Sequence, residues 1–124
     1  MRISIIIPVY NVEQYVEECL QSVANQTMTE GIECIIVDDC GPDNSMDIVR
    51  HFVDDYQGAI SFQILKHEKN SGLSAARNTG IKAATGEFIY LLDSDDFIVP
   101  ECIKTLYSIA IANNADVVQA AYIT

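Results

Sequence analysis

Asp93-Ser94-Asp95-Asp96 places three carboxylates within four residues, directly after the apolar run Phe88-Ile89-Tyr90-Leu91-Leu92. Such a group is poorly suited to a core and well suited to a hard cation. Magnesium or manganese takes one or two carboxylates and completes its shell with water and substrate phosphates. In an extended stretch, residues two apart point to the same side. Asp93 and Asp95 are therefore expected to face one site together. The alternative is a solvated acidic turn, which is the better reading of an isolated Asp-x-Asp.

Other loops shift the balance toward a ligand. Pro8-Val9-Tyr10-Asn11, Asp38-Asp39 and Asn70-Ser71-Gly72 each follow an apolar run, as the acidic group does. Like charges gathered at one edge repel, so a cation or hydrogen-bond donors are the expected compensation. Each residue has two roles open to it. Tyr10 either packs over the first helix or covers a flat base. Asp38 is either a helix-start anion or a loop-bracing acceptor. Asp39 is suited to accept the imide N–H of a pyrimidine. Arg77 either pairs with an acid or reaches a phosphate, whose geometry suits guanidinium. Gly80 weakens a helix but allows close approach to a sheet.

The elements that must position these residues are legible from periodicity. Ile3 to Val9 and Cys34 to Val37 are nearly continuous apolar runs, the pattern of strands covered on both faces. Between them Val12, Tyr15, Val16, Cys19, Leu20 and Val23 recur at spacings of three and four, predicting an amphipathic helix. Asn11 and Gln14 resemble a capping box at its start. A second helix carries Ile48, Val49, Phe52, Val53 and Tyr56, capped by Asp43 or Asn44 and closed by Gly58. Ile60, Phe62 and Ile64 alternate as a strand with one less buried face. A helix from about Ala75 to Ala84 is stopped by Gly86. Pro100 at a first-turn position starts a last helix through Ile103, Leu106, Tyr107 and Ala110, ended by Asn113-Asn114. Val117 to Ile123 reads as a final strand. This alternation predicts an α/β fold: a mostly parallel sheet with helices on both faces. Ligands then belong beyond the carboxyl ends of the strands, where all these loops fall.

The chain has 124 residues, 49% of them hydrophobic, and a formal net charge of −11. One globular domain over 1–124 is expected. The acidity argues against nucleic acid or an anionic membrane as partner, since both require clustered Lys and Arg. No apolar run approaches the roughly 18 residues of a membrane span. Met1-Arg2-Ile3-Ser4 enters a strand without a signal-peptide pattern. Cys19, Cys34 and Cys102 read as small buried hydrophobes, and Cys40 completes a set without Cys-x-x-Cys spacing. A reduced, cytoplasmic setting is expected. His51 and His67 stand alone and read as structural or surface residues.

Ser4-Ile5-Ile6-Ile7-Pro8-Val9-Tyr10-Asn11, Ile36-Val37-Asp38-Asp39, Asn70 to Gly80 (NSGLSAARNTG), Gly86-Glu87-Phe88-Ile89 and Leu92-Asp93-Ser94-Asp95-Asp96 occur in this order in glycosyltransferase family two. The chain resembles those inverting, nucleotide-sugar-dependent enzymes over nearly its whole length. The resemblance implies a Rossmann-like GT-A nucleotide-binding half. It further implies that Pro8, Val9 and Tyr10 line the base and ribose pocket, that Asp39 contacts the base beside Asp38, and that Arg77 lies near the pyrophosphate. Asp93 and Asp95 match the family's Asp-x-Asp, which binds ribose and a divalent metal, magnesium or manganese. Asp96 is a further candidate ligand, and Asp95 is the foremost. Uridine diphosphate sugars are the implied donors, and a saccharide or other hydroxyl compound the acceptor.

Two departures stand out. The family usually shows Asp-Asp-Gly-Ser where this chain has Asp38-Asp39-Cys40-Gly41-Pro42-Asp43, so Cys40 and Pro42 reshape that loop. Family members are usually much longer, and their general base is a carboxylate in the acceptor-binding half. The resemblance thus implies the N-terminal, donor-binding portion of a longer glycosyltransferase, with the base outside this chain. Membrane association would come through regions outside it, and the apolar surface where they dock would favour self-association. Three rivals compete. A phosphoacceptor receiver domain shares the size and the clustered Asp residues, but its acidic pair follows the first strand. A dinucleotide-binding oxidoreductase domain needs Gly-x-Gly-x-x-Gly where Pro8-Val9-Tyr10-Asn11 stands. A non-catalytic interaction module would keep the same motifs as scaffolding.

Overall fold

The computed structural model describes residues 2–114. The strand expected over Val117–Ile123 lies outside them. Four parallel strands form one sheet in the order β3-β2-β1-β4: β1 (Ile3–Val9), β2 (Ile32–Asp38), β3 (Ser61–Lys66) and β4 (Phe88–Leu91). Helices α1 (Val16–Ala24), α2 (Ser45–Asp55), α3 (Leu73–Ala83) and α4 (Cys102–Ala112) connect and cover them. β1 and β2 are buried at every position, as their unbroken apolar runs require. β3 alternates between exposed and half-buried residues.

The sheet has a core on each side. Ile5, Ile7 and Val9 pack with Val16, Leu20 and Val23 of α1, Val49 of α2 and Ile103 of α4. On the opposite face Ile6, Ile35 and Val37 meet Ala76 of α3. The expected helices on both faces are therefore present. α3 lies so close that a Cβ on Gly80 would collide with Ile6 Cγ2. The close approach anticipated at this glycine is what the packing uses.

A second clamp secures the connection between α3 and β4 to the sheet. Glu33 on β2 is buried, and its Oε2 accepts from the Ser4 hydroxyl and from the Thr85 amide and hydroxyl. Gly86 N–H donates to Ser4 Oγ at 2.8 Å. A Cβ on Gly86 would fall 2.6 Å from Ser4 N. These donors hold the Glu33 carboxyl below its ordinary range against the opposing pull of burial.

Several boundaries differ from the sequence reading. α1 begins at Val16 rather than near Val12, and its N-cap Tyr15 makes no side-chain cap. Asn11 sits at φ 56° and α1 starts only at Val16, so Asn11 is not its N-cap and no capping box forms with Gln14. The preceding turn is held from elsewhere: Val12 N–H donates to Ser45 Oγ and Glu13 N–H to Asp43 Oδ2. Asp43 also accepts from the Ser45 amide, so it does serve the start of α2. α2 ends at Asp55, and Tyr56 with extended backbone terminates it; Gly58 lies beneath the Tyr56 ring. Pro100 precedes α4, and its carbonyl accepts from Thr27 N–H. Asn113 caps the end of α4, as expected.

Candidate nucleotide and metal site

β1 lies between β2 and β4, and the strand order reverses there. The loops leaving the carboxyl ends of the strands enclose a cleft of about 410 Å³, within the ordinary range for small-molecule sites. Pro8, Val9 and Tyr10 line it from the end of β1. Asp39 lines it from the end of β2, Asn70, Gly72 and Leu73 from the start of α3, and Asp93, Ser94 and Asp95 from the end of β4. A groove of about 650 Å³ runs between α1 and α2. It is larger, but no strand end and none of the anticipated residues opens into it.

Tyr10 is 46% exposed at the cleft. Its ring is therefore available to a ligand rather than committed to the first helix. Asp38 is buried and braces its own loop: Oδ1 accepts the Cys40 amide at 2.9 Å, and Cys40 adopts φ 59°. Of the two roles open to Asp38, the loop-bracing acceptor is the one realised. Gly41 lies against Asn11 and Tyr10, with a hypothetical Cβ 3.0 Å from Asn11 N. The Cys40-Gly41-Pro42 departure thus shapes the surface beneath Tyr10.

Asp39 is buried and ties together two loops. Its Oδ1 accepts from Ser71 N–H at 2.8 Å, and its Oδ2 from Gly72 N–H at 3.0 Å. His67 Nδ1 lies 2.8 Å from Oδ1, and Thr79 Oγ1 lies 2.8 Å from His67 Nε2. Burial pushes the Asp39 carboxyl up, but the hydrogen bonds from Ser71, His67 and Gly72 outweigh it and hold the group below its usual range. Gly72 adopts φ 95° as the N-cap of α3 with open space around its Cα, so the requirement there is conformational alone.

His67 has a structural role, as expected, but it does not stand alone: it joins Asp39 to Thr79. The missed signal was register. Asp38 pairs with Lys66, which brings the next residues, Asp39 and His67, side by side.

The acidic group is gathered by a turn rather than by strand alternation. β4 ends at Leu91, and Asp96 N–H donates to Asp93 O at 3.0 Å. Carboxylate oxygens of Asp93, Asp95 and Asp96 all lie within 4.8 Å of one another. Alternation would have turned Asp96 away, whereas the turn brings it in. Partial burial, then Asp95 and Asp93, raise the Asp96 carboxyl above its ordinary value. Cys19 of α1 donates its thiol to Asp93 O at 3.7 Å. Burial, aided by the three carboxylates, pushes that thiol up to about 12, so it stays protonated. Arg77 Nη2 of α3 donates to Asp93 Oδ1 at 2.8 Å. Arg77 therefore pairs with an acid of the site itself. Its Nε is buried and makes no hydrogen bond among the described residues.

The parallel sheet and its helices are those of a GT-A fold, and similarity to known proteins agrees. The glycosyl transferase family 2 model matches residues 4–124, and the chain belongs to that family. It is similar to the poly(ribitol-phosphate) beta-glucosyltransferase of Bacillus spizizenii, 42% identical over 119 residues, which cover 94% of this chain and 18% of that protein. Among solved structures, Staphylococcus aureus TarS 1–349 in complex with UDP superimposes with a TM-score of 0.83 at 34% identity, covering 92% of this chain and 33% of TarS 1–349. The mannosyltransferase PcManGT from Pyrobaculum calidifontis, in complex with GDP-Man and Mn2+, matches with a TM-score of 0.73 at 26% identity, over 77% of this chain and 28% of that one. The chain thus spans about a third or less of the length of each of these proteins. Among the described residues, no helix is long and apolar enough to cross a membrane.

Proposed function

We propose that this segment is the donor-binding part of a longer glycosyltransferase, holding a nucleotide sugar and a divalent cation for transfer, with inversion, to an acceptor hydroxyl. The observation that carries this reading is the convergence of Tyr10, Asp39 and the Asp93–Asp96 turn on one cleft. Tyr10 offers a flat face to the base, and Pro8 and Val9 form the wall beside it. Asp39, fixed by the amides of Ser71 and Gly72, accepts a ring N–H. The N-terminal end of α3 opens onto the same cleft through Gly72 and Leu73, and its positive dipole end favours a diphosphate. A uridine diphosphate sugar suits these features. The UDP complex of TarS supports this assignment, and the GDP-Man complex of PcManGT supports the broader class of donor.

The donor set at the acidic turn fits a hard cation, because three carboxylates present oxygen alone within a small radius. Asp95 is the most exposed of them and the first choice as ligand, with Asp93 and Asp96 beside it. Bound magnesium or manganese supplies positive charge to the diphosphate as it departs. Arg77 orients Asp93 through its 2.8 Å contact and adds a fixed cation at the same edge. The base that deprotonates the acceptor lies in the part of the parent protein that this chain does not span. The acceptor, a saccharide or other hydroxyl compound, meets the donor there. The four free cysteines suit a reducing, cytoplasmic setting.

Titration with uridine diphosphate, with and without manganese, tests the reading. Metal-enhanced binding supports it, and no binding under either condition refutes it in favour of an interaction module. Labelling of an Asp by acetyl phosphate would instead revive the receiver-domain alternative.

A further inference from the structure

We propose that His67 is a positioning residue that sets which nucleobases the cleft accepts, by leaving Asp39 a single unfilled acceptor position. The inference rests on the donor-binding reading above. An ionised carboxylate offers about four lone-pair sites. On Asp39, Oδ1 is filled by His67 Nδ1 and Ser71 N–H, both at 2.8 Å. Oδ2 takes Gly72 N–H at 3.0 Å and keeps one site. Asp39 is 3% exposed yet lines the cleft, and in this proposal its remaining site is the one a ligand meets. A base with a ring N–H, such as uracil or guanine, completes the set. Cytosine presents a ring acceptor at the equivalent place, and two facing acceptors repel.

His67 makes the count come out this way. Its Nδ1 faces a carboxylate, which only accepts, so this nitrogen donates. Thr79 Oγ1, 2.8 Å from Nε2, holds the other end of the ring. The imidazole, 14% exposed, is thus clamped between the end of β2 and the body of α3. Without it Oδ1 has a second free site, and the carboxylate is no longer fixed about its last torsion. Water or an amino group then satisfies the carboxylate as well as a ring N–H does, and selectivity falls.

The test titrates uridine diphosphate and cytidine diphosphate, each with saturating magnesium, into wild type, His67→Leu, His67→Asn and Thr79→Val. Wild type is expected to prefer uridine diphosphate. His67→Leu should narrow the ratio of the two affinities about tenfold, the equivalent of one hydrogen bond, mostly by weakening uridine diphosphate. His67→Asn, whose amide donates where Nδ1 does, should restore most of the ratio. Thr79→Val should give an intermediate ratio. A wild-type ratio in His67→Leu overturns the proposal, whether both affinities fall together or neither does. If His67→Leu does not fold by circular dichroism, Thr79→Val decides: a wild-type ratio there overturns it equally. A wild type that binds neither nucleotide removes the donor-binding reading and this inference with it. A wild type that binds uridine diphosphate with a ratio indifferent to His67 and Thr79 removes this inference alone.

Discussion

Replacing Asp39 with Asn removes a charge without changing shape, and the surroundings of that side chain set the penalty. Asp39 accepts from three donors and is almost fully buried. An Asn side chain has one oxygen. In its better orientation that oxygen keeps His67 and Ser71, while its amino group faces the Gly72 N–H. One charge-assisted bond is lost, a buried donor is left without a partner, and the other two bonds weaken to neutral strength. The cost is expected to be about 2–4 kcal/mol. The penalty carries a pH signature. The folded-state carboxyl is depressed, so its contribution is fully present above the ordinary Asp value of 3.8 and is lost as the pH falls through the folded value beneath it. Protonated Asp39 resembles Asn, so the two proteins should converge in acid. The chain has no Trp, so urea unfolding monitored by far-ultraviolet circular dichroism is the assay. Equal stability at pH 7 would refute the reasoning. So would a gap that persists unchanged to the lowest pH at which both proteins fold.

Three further outcomes are expected. Gly80→Ala gains about 1 kcal/mol of helix propensity, but its methyl collides with Ile6 Cγ2 on a fully buried strand. Overpacking of about 3 kcal/mol outweighs the gain, and a thermal melt should show a lower midpoint; a raised midpoint would contradict the packing. Arg77→Ala removes the cation beside Asp93, so it should tighten binding of manganese alone while weakening uridine diphosphate about tenfold, both read by calorimetry. Ile89 and Leu91 pair in register with Ser4 and Ile6 on the α3 side of the sheet and remain exposed, as do Phe97 and Val99. Self-association by light scattering is expected, and Ile89→Lys with Leu91→Lys should abolish it; undiminished association in that double variant would place the contact elsewhere.

The sequence carried the fold where a single physical signal dominated. The apolar runs of β1 and β2 could only be strands covered on both sides, and the polar loops after them had to lie at one sheet edge. Gly80 and Asp43 were legible because helix packing and helix starts use local chemistry. The start of α1 was not, because the turn before it is held by Asp43 and Ser45, some thirty residues away. Apolar spacing alone runs on from Val12 to Val16 and hides the turn that separates them. The acidic group was read correctly as a cluster and incorrectly as a strand pair, since one turn hydrogen bond decides where Asp96 points. The Arg77–Asp93 pair and the His67–Asp39 pair both join distant elements. The second depends on strand register, which periodicity does not give.

The most direct test is calorimetric titration of uridine diphosphate into wild type and Asp95→Ala across a manganese series. Wild-type affinity should rise with metal, and that of Asp95→Ala should be weaker and nearly insensitive to it. Equal affinity in the two proteins at every manganese concentration would remove Asp95, and the cation it is said to hold, from the site.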